Sequence, residues 1–148
     1  MLLRMATKKD EAYMYALKND PITRLYALAT DKEIPAFIHA AFWADHYTEF
    51  LMIYLDDPDA PIGAVRTKRD GEVAIWIDAK HRGHGIGPFI LEKVGKAGET
   101  WAKIAIANVS SMRAFIKAGF APWKLETIFM RTPDPNRSEK RYHYIFKL

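Results

Sequence analysis

The sequence predicts a single α/β domain, residues 1–148, in which a mixed sheet of about seven strands carries about four helices on its faces. Three observations lead there. Between residues 49 and 78, strand-like runs follow one another with only turn residues between them, as hairpins do. From residue 72 onward, strands alternate with helix-like runs, as in strand–helix–strand units. A length of 148 residues, 49% of them apolar, suits about one domain with a core of its own. The predicted order is β-α-α-β-β-β-α-β-α-β-β.

Residues 2–7 form a short first strand. Thr7 or Asp10 is placed to cap a helix over residues 11–18, whose apolar positions Ala12, Met14, Tyr15 and Leu17 fall roughly on one face. Asn19-Asp20-Pro21 ends it, because the residue before a proline avoids the α region. Residues 22–32 are ambiguous and are read as loop. Pro35 opens a second helix, a strongly apolar run of Ala36, Phe37, Ile38, Ala40, Ala41, Phe42 and Trp43 that ends near His46. Residues 49–56 read as a strand, 56–61 as a turn rich in Asp and Pro, and 62–68 as the next strand. Arg69-Asp70-Gly71 makes a hairpin turn into a strand over 72–78. A helix is expected from Pro88 to about Trp101, with Gly95 and Gly98 each weakening its second half by roughly 1 kcal/mol. Residues 103–107 read as a buried strand. Ser110 or Ser111 caps a helix to Ala118, and Gly119 is its C-cap. Residues 120–131 and 142–148 are the last strands, with 132–138 as the loop between them.

Composition narrows the function. A net charge of +4 fits an anionic ligand but is too small to mark a dedicated nucleic-acid binder. The absence of cysteine excludes disulfides, Cys-based zinc sites and Cys nucleophiles. No run approaches the roughly 18 apolar residues of a membrane span, and the first residues lack the apolar centre of a signal peptide. A soluble, cytoplasmic protein with no membrane partner is expected.

The chemistry concentrates in Ile75-Trp76-Ile77-Asp78-Ala79-Lys80-His81-Arg82-Gly83-His84-Gly85-Ile86-Gly87. An apolar strand stops at an Asp, and three glycines at alternate positions lead into an apolar helix. Glycines let a backbone approach a ligand closely, and N–H groups at a helix start favour an anion, most often phosphate. The expectation is the diphosphate of a nucleotide-like cofactor. The spacing Gly-x-Gly-x-Gly after a fourth strand is not the dinucleotide fingerprint of a Rossmann unit, and Gly87-Pro88-Phe89 lacks the Gly-Lys-Ser/Thr of a P-loop. A glycine-rich turn without a ligand is the plain alternative.

Arg82-x-x-Gly85-x-Gly87 resembles the pyrophosphate loop of the GNAT family of N-acetyltransferases, with Ala79 where Pro is common. Asn108-x-x-Ser111-x-x-x-Phe115-x-Lys117-x-Gly119-Phe120 resembles the family's second hallmark, Asn-x-x-Ala/Ser-x-x-x-Tyr-x-Lys/Arg-x-Gly-Phe. The two stand in the family's order with a strand between them. A weaker likeness, in Asn19-Asp20-Pro21-x-x-Arg24, Ile34, His39 and Trp43, is to the subgroup that acetylates amino-sugar nucleotides; an ordinary helix end and a core aromatic helix would look the same.

The resemblance implies a mostly antiparallel GNAT-like sheet and an acetyl-CoA-dependent N-acetyltransferase. Its fourth and fifth strands would splay, and the pantetheine arm would pair like an added strand with the backbone of Ile75, Trp76 and Ile77. Backbone groups of Arg82, Gly83, His84, Gly85, Ile86 and Gly87 would hold the diphosphate, and an N–H near Ile77 would polarise the thioester. Asn108 would bond the pantetheine amides, Ser111 would cap its helix or reach the cofactor, and the Phe115 ring would pack on it. Acetyl-CoA is then a co-substrate, no metal is required, and the partner is a small-molecule amine or amino sugar that attacks directly.

Three departures from the family pattern bear on this. Phe115 has no proton to give the leaving thiolate, a role Tyr fills in many members. Pro88 removes one N–H from the anion site. The interval between Gly87 and Asn108 is short, which implies a helix about two turns shorter than usual and a more open site. Glu72 opens the fourth strand roughly where some members carry a catalytic Glu, and is the candidate base; a solvated strand-end carboxylate is the alternative. His84 reads as an exposed loop residue or a charge aid to phosphate. Of Tyr142, His143 and Tyr144 at least one should face the acceptor groove. His39 and His46 lie on the helix expected to line it. Rival readings are a non-catalytic acyl-CoA-binding module, motivated by Phe115, and an acetyltransferase acting on a protein or nucleic-acid amine, motivated by Lys8-Lys9, Lys68-Arg69 and Lys140-Arg141. Trp123, Phe129 and the last strand could pair two copies as a homodimer.

Overall fold

The computed structural model of the chain describes residues 1–28, 32–131 and 138–148, so the predicted loop 132–138 lies, but for its last residue, outside the described residues. The elements are β1 (Leu2–Met5), α1 (Glu11–Asn19), α2 (Pro21–Leu25), α3 (Ala36–His46), β2 (Phe50–Tyr54), β3 (Gly63–Thr67), β4 (Val73–Ile77), α4 (Ile86–Val94), β5 (Trp101–Ala105), α5 (Val109–Lys117), β6 (Ala121–Arg131) and β7 (Ser138–Lys147).

The strands form two antiparallel sheets, one ordered β1-β2-β3-β4 and one ordered β5-β7-β6. Among the described residues a single parallel bridge, Glu72 to Trp101, joins them where β4 and β5 begin. Two cores flank the sheets. One gathers Ile86, Ile90 and Leu91 of α4, Phe115 of α5 and Ile104 and Phe146 of the second sheet, and Ile75 and Ile77 pack against it. The other gathers Met14 and Leu17 of α1, Trp43 of α3 and Phe50 and Met52 of β2, and Trp76 packs against that one. Alternation along β4 therefore sends neighbouring side chains into different cores. Burying each large apolar side chain contributes about 1.5–3 kcal/mol, so β4 is held from both faces while one of its edges remains open. Among the described residues no helix is long and apolar enough to cross a membrane.

The mixed α/β class, the element order and the mostly antiparallel pairing match expectation, and the differences have local causes. Residues 21–25 are helical where a loop is predicted. Asp20 accepts from Thr23 N at 3.0 Å, and Pro21 occupies the first helical position, so a cap and a preset φ suffice for a short helix without a clear apolar period. Helix α4 starts two residues before Pro88 and stops at Val94, well short of Trp101. Gly95 leaves the helix with ψ 143°, and Gly98, at φ 78°, turns the chain and donates to Leu148 O at 2.8 Å. Strand β5 consequently begins at Trp101 rather than residue 103. Asn108, not Ser110 or Ser111, caps α5: its side chain accepts from Ser111 N at 3.1 Å.

Candidate active site

From their bridge the two strands part. Trp101 N donates to Gly71 O at 3.1 Å, and the Trp101 indole donates to Asp70 O at 2.9 Å, which pins the root of the gap. Beyond it, among the described residues, β5 pairs with β7, and β4 pairs only with β3. Asp78 N donates to Ile62 O and Lys68 N to Glu72 O, each at 2.9 Å, so the even-numbered residues of this strand turn their backbone groups toward β3. By alternation the backbone groups of Ile75 and Ile77 face the gap. Arg82 Nε takes the Ile77 carbonyl at 2.9 Å, which leaves the N–H groups of both residues, and the Ile75 carbonyl, directed into the opening.

The glycine segment lies at the mouth. Asp78 accepts from Lys80 N and His81 N at 3.0 and 3.2 Å and so closes a short turn at the strand end. Gly83 and Gly85 have φ of 79° and 78°, a region that L side chains avoid, and a Cβ on either would meet no protein atom within 4 Å. Both glycines therefore border open space. Gly85 caps α4, whose first N–H groups, on Ile86 and Gly87, have no partner one turn back. Pro88 adds none. The Ile86 side chain is buried in the core, so its part in the cradle is its backbone, and His84 is exposed. An anion's oxygens fit here, with the positive end of the helix dipole behind the donors.

The Arg82 guanidinium does not point at this cradle. Its Nη2 bonds Asp20 at 2.9 Å and reaches Thr23 Oγ1 at 3.5 Å, fastening the loop to the start of α2. Burial works against the Asp20 charge, but hydrogen bonds from Arg82 and from Thr23 N outweigh it and hold the carboxyl below the usual carboxylate range.

The second predicted segment is placed at the other side of the mouth. Asn108 spends its acceptor oxygen on the cap, which leaves its amide N–H groups for a ligand; Ser111 is half-buried in the first turn of α5. Phe115, expected on the cofactor, is a core residue: it is 2% exposed and packs edge-on against Phe120, with ring centres 4.9 Å apart. The apolar face of α5 is shared between core and opening, and sequence period alone does not divide it. Glu72 sits at the root of the gap, on the Trp76 face by alternation, and its carboxylate is paired with Lys68 Nζ.

The remaining candidates fall into structural partnerships. Buried His39 bonds Glu11 at 3.0 Å through Nδ1. His46 pairs with Glu49 at 3.2 Å. On β7 the register settles what alternation leaves open: His143 faces Glu126, its Nε2 3.4 Å from the carboxylate without hydrogen-bond geometry, while Tyr144 packs against the α4–α5 core. Asn19, Arg24 and Ile34 form a clip, and Trp43 is tied separately to Thr7. Asn19 bonds both the N–H and the carbonyl of Ile34, Arg24 Nε donates to Asn19 O, and the Trp43 indole donates to Thr7 O. Local sequence gives no sign of the Arg82–Asp20 pair or of the surroundings of Lys18, described below, because their partners lie tens of residues apart. Among the described residues no group of three or more His, Asp or Glu could hold a metal ion.

A parted strand pair with a glycine-framed helix start at its mouth suits an extended ligand that ends in an anionic group, as an acyl-CoA does. Residues 1–121 match the acetyltransferase (GNAT) domain model, and the chain belongs to that family of N-acetyltransferases, which take their acetyl group from acetyl-CoA. Solved structures share the fold. A ribosomal-protein-alanine N-acetyltransferase from Brucella melitensis superposes with a TM-score of 0.73 at 15% identity, over 100% of this chain and 99% of that one. A Salmonella typhimurium structure containing its cofactor acetyl-CoA gives 0.69 at 18%, over 100% and 92%. A spermidine N-acetyltransferase from Vibrio cholerae, solved with CoA and spermine, gives 0.67 at 15%, over 99% and 95%. None of the curated protein sequences matches this one.

Proposed function

We propose that this enzyme transfers the acetyl group of acetyl-CoA to a primary amine of a small molecule or amino sugar by direct attack. The observation that carries the proposal is the open edge of β4, with the N–H groups of Ile75 and Ile77 directed into the gap and the glycine cradle at its mouth. The cradle groups on Gly83, Gly85, Ile86 and Gly87 would bind the diphosphate, and the Asn108 amide would meet the pantetheine arm. The Ile75 and Ile77 N–H groups would align the thioester and stabilise charge on its oxygen. On the α1 face, a cavity of about 190 Å³ is lined by Tyr13, Ala16, Leu17, Asp20, Asp78 and Ala79, and an incoming amine would lie there beside Asp78 and the Arg82-bound Asp20. The Vibrio cholerae enzyme's substrate is likewise an amine, which supports a small cationic acceptor here.

Glu72 is assigned the proton. Its backbone is fixed at the root of the gap by the bridge to Trp101, and its carboxylate, ion-paired with Lys68, lies on the Trp76 face. Exposed Leu125, Phe129 and Tyr142 on β6 and β7 support a homodimer, which light scattering would detect.

The test couples calorimetry with acetyl-CoA to thiol release across a panel of polyamines, amino sugars and amino acids. Binding with turnover on a small amine is expected, and Glu72→Gln should lower kcat/KM about a hundredfold or more. Binding without transfer to any amine would make the chain an acyl-CoA-binding module. A loss below about tenfold in Glu72→Gln would give the proton to water.

A further inference from the structure

The ammonium of Lys18, in the last turn of α1, is held by rings. Its Nζ lies 4.0 Å from the centre of the Phe42 ring, 5.3 Å from Phe50 and 5.5 Å from Trp76. Those rings come from α3, β2 and β4, so the amine occupies a three-walled aromatic cage between the helices and the sheet. Among the described residues no carboxylate, hydroxyl or carbonyl pairs with it. The neighbouring cation is treated differently. Arg66, also over the Phe42 and Phe50 rings, is bonded to Glu49 at 2.5 Å, and Glu49 in turn holds His46. The carboxylate of this corner is thus committed to Arg66. Burial first, and then the Arg66 charge, lower the pKa of Lys18 to about 8. The rings oppose this through cation–π attraction, worth about 0.5–2 kcal/mol. A substantial share of the amine is neutral, and so nucleophilic, in mildly alkaline solution.

The position matters as much as the protonation. Trp76, one wall of the cage, lies between Ile75 and Ile77, the two residues whose N–H groups face the gap. Lys18 therefore stands over β4 on the face opposite the α4–α5 core.

We propose that Lys18 is an internal acetyl acceptor, its amine taking the acetyl group from acetyl-CoA aligned along β4. The inference rests on the alignment assigned under the proposed function. Neutral Nζ attacks the thioester carbonyl carbon; the C–N bond forms and the C–S bond breaks. The proton lost by nitrogen goes to the departing thiolate, giving an amide on Lys18 and free CoA thiol. The product removes the positive charge from the cage, so the modification also resets the electrostatics of the acceptor side.

The experiment incubates the full chain with acetyl-CoA and no added amine, and follows each lysine by peptide mass spectrometry. Melting shift on acetyl-CoA is measured on the same samples. Lys18 should be acetylated ahead of the other lysines, with a first-order rate independent of protein concentration. The rate should rise about tenfold per pH unit and level off above pH 8 or so, as a single titrating amine requires. Lys18→Arg should lose this fast phase and keep the melting shift. In the protein without acetyl-CoA, a carbon-13 titration of the Lys18 side chain should show a midpoint well below that of the other lysines. A normal melting shift with Lys18 modified no faster than its neighbours would overturn this inference and leave the site reading intact. Absence of the melting shift would overturn both.

Discussion

The loop that follows β4 and the junction of α1, α2 and α3 meet at one ion pair, Arg82 with Asp20, yet they keep their shapes by opposite means. The loop is a backbone structure. Two left-handed glycines, an Asp turn and a helix start create its donors, and the side chains among them either leave for the core, as Ile86 does, or lie exposed, as His84 does. The junction is a side-chain structure. Asn19 clips Ile34, His39 leans on Glu11, Trp43 reaches Thr7, and Lys18 is enclosed by rings from three other elements. A site for a constant co-substrate can be built from groups every residue carries. A site that must select an acceptor needs groups that differ between residues, and these are supplied by tertiary packing.

Substitutions on either side of the ion pair should separate the two regions. Gly85→Val should have the largest effect. A β-branched residue at φ 78° is strained by about 1–2 kcal/mol, and its branches enter the open cradle. Acetyl-CoA affinity should fall about a hundredfold by calorimetry, roughly 3 kcal/mol, with melting lowered only by several degrees. Unchanged affinity would show that the backbone is not what holds the diphosphate.

Asp20→Asn probes the seam and should act on both sides. The Asp20 pKa is depressed in the fold, so its contribution to stability is present above the ordinary carboxylate pKa and is lost as pH falls through the lowered one. Urea titrations should find the variant less stable by about 1–3 kcal/mol at neutral pH, with the two proteins converging in acid. Acetyl-CoA binding should weaken only severalfold, since Arg82 keeps its bond to Ile77 O.

Asn19→Ala should move the donor side least. Losing both bonds to Ile34 costs about 1–3 kcal/mol of stability. Acetyl-CoA affinity should stay within about twofold, and any change in turnover should follow the acceptor's KM. A large drop in cofactor affinity would mean that the two regions are not built independently.

The same contrast explains what could be read from the residues alone. The strand ending at Asp78 and the glycines after it are local signals, and the structure places a left-handed turn and a helix start there. The second hallmark was legible in position but not in use, because Asn108 serves first as a helix cap and Phe115 belongs to the core. The end of α4 depends on Leu148, which presses against Gly95 from the far end of the chain: a Cβ there would sit 2.5 Å from it. No local pattern carries such a contact. The face taken by His143 was open until the β6–β7 register fixed it. The cage of Lys18 joins residues 18, 42, 50 and 76, and helical period gives no hint of it.

In the proposed mode of binding, the β4 edge receives the co-substrate through the N–H groups of Ile75 and Ile77. Amide hydrogen exchange resolved by residue, with and without acetyl-CoA, tests it most directly. Exchange at Ile75 and Ile77 should slow markedly on binding, together with Ile86 and Gly87, while Trp76, already bonded to β3, should change little. Binding that protects none of these amides, or protects a different surface, would contradict it.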